Sequence, residues 1–192
     1  MLTERYADAL QLAWRLHDGH FRKGTSIPYV SHLIAVSSIA LEHGADENEA
    51  VAALLHDAVE DAGGLPTLDM IRARFGPTVA DIVDGCTDAY EEPKPPWRAR
   101  KEAYLAHLAT ASPSIRLVSN SDKLHNARSI LSDLRVHGPK LWDRFTAPKE
   151  GTLWYYRSLV RAFASHARTP LVDELDLAVS EIERIAQVAG AD

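Results

Sequence analysis

Apolar residues recur along almost the whole chain at spacings of three and four, and strand-like alternation is scarce. Residues 3–18 are the first instance, with Tyr6, Leu10, Ala13, Leu16 and His17 on related faces of a helix. A loop follows, "GHFRKGTSIPYV", punctuated by Gly19, Gly24 and Pro28. Ser31 is suited to cap a helix that reaches about His43, where Gly44 ends it. The run "DENE", residues 46–49, has the pattern of a capping box and opens a helix that continues to "GGLP". Thr67 is placed to cap a short helix ending at Phe75, and Gly76 with Pro77 starts another to about Asp88. The stretch "AYEEPKPPWR", residues 89–98, is the one long irregular loop. Helices then read at 97–110, from Ser112 and Pro113 to about His137, near 139–145, at 151–168, and from Thr169 and Pro170 to near Ala189. The pattern predicts an all-α fold: a single helical bundle of about eight to ten helices over residues 1–192, with no repeat and no domain linker.

Composition narrows the function classes. The chain of 192 residues is long enough for a sizeable core, and its formal net charge of −6 gives no basic field for gripping DNA or RNA. The single cysteine, Cys86, allows no internal disulfide and suits a small buried or half-buried thiol. The N-terminus "MLTERYADAL" is charged and helical in pattern, unlike a signal peptide. No apolar run reaches the length of a membrane span. The expectation is a cytoplasmic protein whose partner is neither a nucleic-acid polymer nor a membrane, with self-association left open.

One helical stretch breaks the ordinary pattern. In "ALLHDAVEDAGG", residues 53–64, His56, Asp57, Glu60 and Asp61 fall within one polar stripe, while Val51, Ala52, Leu54, Leu55, Ala58 and Val59 occupy the rest. Taken alone, such a stripe is as consistent with a solvated acidic face as with a site. Two more residues favour a site: His32, near the start of the preceding helix, and Asp122 in "NSDKLHNAR". Two histidines and two aspartates offer mixed nitrogen and oxygen ligands of the kind that hold manganese, iron or zinc. A cation held so can acidify water and polarise phosphoryl oxygens. Glu60 and Asp61, one turn beyond His56 and Asp57, are placed to orient or deprotonate water rather than to bind the metal.

These residues resemble the pattern of the HD-domain superfamily of metal-dependent phosphohydrolases: a first histidine, an adjacent His–Asp, and a later aspartate. Within it the chain is similar to the hydrolase domain of RelA/SpoT-type alarmone enzymes, through "FRKGTSIPYVSHLIAV", "AALLHDAVEDAGG", "IRARFGPTVADIVDGCTD" and "SDKLHNAR", in that order over roughly residues 3–136. The resemblance implies an all-helical fold that removes pyrophosphate from the 3′ position of (p)ppGpp, with Mn²⁺ as the usual metal and other divalent transition metals as alternatives. It implies His32, His56, Asp57 and Asp122 as metal ligands and Glu60 and Asp61 as the catalytic acidic pair. It implies Arg22, Lys23 and Asn126 as contacts to a guanosine nucleotide. The long alarmone enzymes add a synthetase and regulatory domains, for which 192 residues leave no room, so the likeness is to the stand-alone small hydrolases.

The chain also departs from that family. Ser119, Asn120 and Ser121 stand where members often have a lysine and an apolar pair before the aspartate, which puts phosphate contacts there in doubt. Ala62 replaces a more usual threonine. Glu91 and Glu92 are candidates either for a pocket lip or for a solvated turn. Tyr155 and Tyr156 could stack on a base, although packing in the core is the expectation for at least one of them. His17, His20, His43, His107, His137 and His166 gain no role and default to surface or capping positions. Two other readings stay open: an HD-domain enzyme for a different nucleotide or 3′-phosphorylated cofactor, and a non-catalytic alarmone-sensing module.

Overall fold

The computed structural model describes residues 1–88, 90 and 93–188. The α-helices among the described residues, in chain order, are α1 (Glu4–Leu16), α2 (Val30–Glu42), α3 (Glu47–Leu55), α4 (Ala58–Asp61), α5 (Leu65–Phe75), α6 (Pro77–Cys86), α7 (Trp97–Leu108), α8 (Pro113–His137), α9 (Lys149–Ala164) and α10 (Pro170–Val188). A 3₁₀ segment, Gly138–Arg144, follows α8. No strand occurs among the described residues; Phe21 and Pro28 form an isolated antiparallel bridge. The all-α expectation therefore holds. No described helix is long and apolar enough to cross a membrane.

The chain forms two compact units, one of Met1–Pro95 and Ala111–Asp122, the other of Pro96–Thr110 and Lys123–Asp192. In the first unit α3 is the central element, packed by α1, α2 and α6. Val51, Ala52, Ala53, Leu54 and Leu55 are all fully buried, as expected of a helix that is apolar all round. Burying each Leu or Val side chain stabilises the fold by about 1.5–3 kcal/mol, so the helix that leads into His56 and Asp57 is firmly anchored. At its start the capping box forms as read: Asp46 accepts from the Glu49 N–H at 2.9 Å and Glu49 accepts from the Asp46 N–H at 2.8 Å. At Gly85 on α6 an added Cβ would overlap the Ile115 side chain of α8, so the missing side chain is what lets that residue seat there.

Several local expectations are corrected. Ser31 lies exposed inside α2, and Tyr29 holds the cap position. Thr67 is buried inside α5 and its hydroxyl donates to the Ala62 carbonyl, while Gly64 stands at the cap. The helix opening at residue 47 does not continue to "GGLP": it breaks at His56 and Asp57 into α3 and the four-residue α4. The His56 ring supplies a reason. Its Nδ1 lies 2.8 Å from the Ala53 carbonyl, the oxygen that a continuing helix would offer to the Asp57 N–H.

In the second unit α9 packs on α7 and α10. Tyr155 is buried, edge-on to Trp97 with ring centroids 5.9 Å apart, as expected of a core residue. Arg157 of α9 reaches α10, meeting Asp176 at 2.5 Å, Glu183 at 2.6 and 3.0 Å, and the Ser180 hydroxyl at 3.0 Å.

Candidate active site

Four side chains from α2, α3 and its following turn, and α8 converge in the first unit. His32 Nε2 lies 3.5 Å from Asp57 Oδ2 and 3.3 Å from Asp122 Oδ1. His56 Nε2 lies 3.0 Å from the same Asp57 oxygen and 3.7 Å from the same Asp122 oxygen. His32, His56 and Asp122 are buried and Asp57 is half-buried. Ligand atoms of His32, His56 and Asp57 all fall within 4.8 Å of one another, a spacing that could hold a metal ion. Residues as far as 90 positions apart in the chain, His32 and Asp122, are thus brought together.

The donor chemistry fits a divalent cation. Ala53 presents a carbonyl that can only accept, so His56 Nδ1 carries the proton and Nε2 is the atom turned to the carboxylates. That Nε2 is buried and forms no aligned hydrogen bond, although Asp57 is 3.0 Å away. Burial works against a charged ring, but Asp57 and Asp122 outweigh it and hold the His56 pKa well above its ordinary value. Burial likewise raises the Asp57 carboxyl, and the neighbouring histidines outweigh it and hold it well below the usual range. A cluster that draws a proton this strongly attracts a cation in the proton's place.

Around the four lies a supporting layer that the sequence did not announce. The Tyr29 hydroxyl donates to Asp57 Oδ2 at 2.6 Å. Burial, then the Asp57 carboxylate, push that phenol far above its ordinary pKa, so it stays a donor. The Tyr29 ring stacks on His17 with centroids 5.1 Å apart and planes 12° off parallel. His17 does stand at a helix end, as expected, but it is buried, and its Nε2 lies 3.7 Å from Asp61 Oδ2. Proximity to "PYVSH" in the same loop was the available signal for Tyr29; nothing local marks His17.

Glu60 and Asp61 occupy α4, the turn after the His–Asp pair. Glu60 is half-buried and accepts a 2.6 Å ion pair from Lys94, in the proline-rich loop. Glu91 and Glu92, the candidates in that loop, lie outside the described residues; Lys94 is the contact that was missed. Gly63 and Gly64, both at positive φ, end the turn, and a Cβ at Gly63 would crowd the Thr67 hydroxyl. Arg22 sits in a loop closed by its own N–H to the Ile27 carbonyl at 2.8 Å and by the Tyr29 N–H to His20 at 2.9 Å. Its guanidinium lies 5.7 Å from the Tyr29 ring centroid, which brings it to the same corner, while Lys23 beside it is exposed. Asn126 follows Asp122 by four residues on α8, among the residues of the second unit. Ser119, Asn120 and Ser121 are buried; Ser119 contacts Cys86 at 3.6 Å, Ser121 bonds back to the Leu117 carbonyl, and Asn120 Oδ1 has no hydrogen-bond partner.

With this geometry in hand, the comparison with known proteins is specific. A family model described as HD domain matches residues 9–153. The chain belongs to the HD-domain family. Within it, the chain is 37% identical over 139 residues to human guanosine-3′,5′-bis(diphosphate) 3′-pyrophosphohydrolase MESH1, covering 70% of this chain and 72% of that one. It is 33% identical over 120 residues to the Haemophilus influenzae guanosine-3′,5′-bis(diphosphate) 3′-pyrophosphohydrolase, where the match covers 59% of this chain and only 17% of the relative's length. The fold superposes on the solved structure of a metazoan ortholog of SpoT that hydrolyses ppGpp, with a TM-score of 0.74, 27% identity and 96% of each chain covered.

Proposed function

We propose that the protein is a metal-dependent hydrolase that removes the 3′-diphosphate from guanosine 3′,5′-bis(diphosphate), yielding GDP and pyrophosphate. The observation that carries this reading is the convergence of His32, His56, Asp57 and Asp122, with Glu60 and Asp61 on the next turn. The likeness to relatives bearing that activity in their names supports it.

His32, His56, Asp57 and Asp122 would hold the cation, for which Mn²⁺ is the expected ion. When bound, it supplies positive charge that polarises the phosphoryl oxygens and acidifies water. Tyr29 fixes the Asp57 carboxylate by donating to one of its oxygens. Glu60, assisted by Asp61, takes the proton from the attacking water. The new bond joins that water oxygen to the phosphorus linked to the nucleoside 3′-oxygen. The bond between that phosphorus and the 3′-oxygen breaks, and the 3′-oxygen takes up a proton. Arg22 forks a phosphate or stacks on the guanine, Lys23 offers a mobile positive charge, and Asn126 contacts the nucleotide.

The neutral, buried run at residues 119–121 favours one second reading, in which a different 3′-phosphorylated nucleotide is the substrate. A panel of 3′- and 5′-phosphorylated nucleotides, incubated with the purified protein and Mn²⁺ or with chelator, separates the two. The expected result is metal-dependent release of pyrophosphate from ppGpp and pppGpp. Turnover of another 3′-phosphorylated nucleotide alone would favour the second reading. Tight ppGpp binding without product under any metal would make the protein a sensor.

A further inference from the structure

The acidic pair sits on α4, a short helix whose Ala58 and Val59 are buried in the core. The helix has four residues, too few to be stiff on its own, and it runs directly into Gly63 and Gly64. Side chains that must hold a working geometry need bracing from elsewhere in the fold. Glu60 has such a contact in Lys94, at the surface. A buried side chain facing Asp61 comes from the end of α1.

His17 is held from three sides. Its backbone N–H donates to the Ala13 carbonyl at 3.2 Å as the cap of α1. Its Nδ1 lies 3.0 Å from that same carbonyl and therefore carries a proton. Its ring stacks nearly parallel on Tyr29, which is itself fixed through its hydroxyl to Asp57. The imidazole has one polar atom left, Nε2, which is buried without a hydrogen-bond partner and lies 3.7 Å from Asp61 Oδ2. One stack of two rings thus links a carboxylate of the metal cluster to a carboxylate of the acidic pair.

We propose that His17 is a positioning residue: as a donor at both ring nitrogens, it holds the Asp61 carboxylate through Nε2 in register with Asp57, by way of the His17–Tyr29 stack. The proposal deepens the hydrolase reading and rests on Asp61 belonging to the acidic pair. It assigns His17 no contact with substrate or metal.

The test is a double-mutant cycle. His17→Phe keeps the ring and the stack but removes Nε2; His17→Gln restores a polar group able to reach Asp61. Loss of a supporting partner typically costs about 10–100-fold, so His17→Phe should lower kcat by that order and leave KM for ppGpp and bound Mn²⁺ unchanged. His17→Gln should recover much of the loss. In an Asp61→Asn background His17→Phe should cost less than about twofold more, because the group it acts through is already gone. Losses that multiply, an unchanged kcat, or a fall in bound metal would overturn the proposal. A second readout needs no substrate: the imidazole ¹⁵N signal of His17 should move on Asp61→Asn. If the parent does not hydrolyse ppGpp, the hydrolase reading fails and this signal alone decides the contact; a signal indifferent to Asp61→Asn overturns it.

Discussion

Two charged clusters in this protein are built on opposite plans. Around Arg157 in the second unit, each carboxylate meets a guanidinium: Glu183 takes two of its bonds, Asp176 takes a third and is shared with Arg168 at 2.9 Å, and Glu181 pairs with Arg184 and Arg135. In the first unit, Asp57 and Asp122 are turned on two imidazole nitrogens, Asp57 also accepts from a phenol, and Lys94 reaches Glu60. The balanced cluster is also the more exposed, whereas His32, His56 and Asp122 are buried. Burying carboxylates is costly unless their charge is compensated, and here the groups that face them are imidazole nitrogens, which can also bind a cation. The difference separates a cluster that ties two helices together from one whose donor set could hold a cation.

The comparison breaks most visibly at Glu60. Glu60→Gln keeps size and hydrogen-bonding shape and removes the base, so kcat for pyrophosphate release should fall by about 10²–10⁴-fold, with bound metal retained. Single-turnover rates and metal stoichiometry on this variant check it; an unchanged rate means that Glu60 is not the base. Next in size is Arg22→Ala, which should raise KM for ppGpp by about tenfold or more through loss of a charge-assisted contact and leave metal content as it was. Loss of metal from that variant would place Arg22 in the cluster rather than at the substrate.

The helices and the four converging residues were legible in the sequence for a common reason. Helical periodicity and a His–Asp pair are local signals, and His32 and Asp122 sit in short motifs that repeat the family's order. What was hidden depends on contacts that no local pattern records. The break at His56 comes from an imidazole competing for a backbone carbonyl. His17 looked like an ordinary end of an amphipathic helix, and only the loop that returns Tyr29 over it makes it part of the site. Ser31 and Thr67 have the chemistry of caps, but the Tyr29 and Gly64 backbones start those helices earlier. Lys94 lies in a loop without helical periodicity, so no local pattern ties it to Glu60, 34 positions away.

The second-unit cluster should answer to stability and not to catalysis. Arg157→Ala leaves Asp176 and Glu183 without their shared partner and should cost about 1–2 kcal/mol, a fall in Tm of roughly 2–8 °C for a chain of this size, with metal content unaltered. Calorimetry on the variant measures it, and an unchanged Tm would deny the cluster a structural role. The smallest effect is on pH dependence. The hydrogen bond from Arg184, opposed by desolvation and helped by Arg135, lowers the Glu181 carboxyl to about 2. A depressed carboxyl contributes stability above its ordinary value of 4.5 and loses it as the pH falls through about 2. Glu181→Gln should therefore melt below the parent at neutral pH, and the two melting curves should converge in acid; a constant gap would contradict the assignment.

The most direct test of the contrast is equilibrium dialysis against Mn²⁺, comparing the parent with His56→Ala. The account predicts about one cation per parent chain, removed by chelator, and a large loss of binding in the variant. A parent that binds no divalent cation, or a His56→Ala variant that binds it equally well, would contradict it.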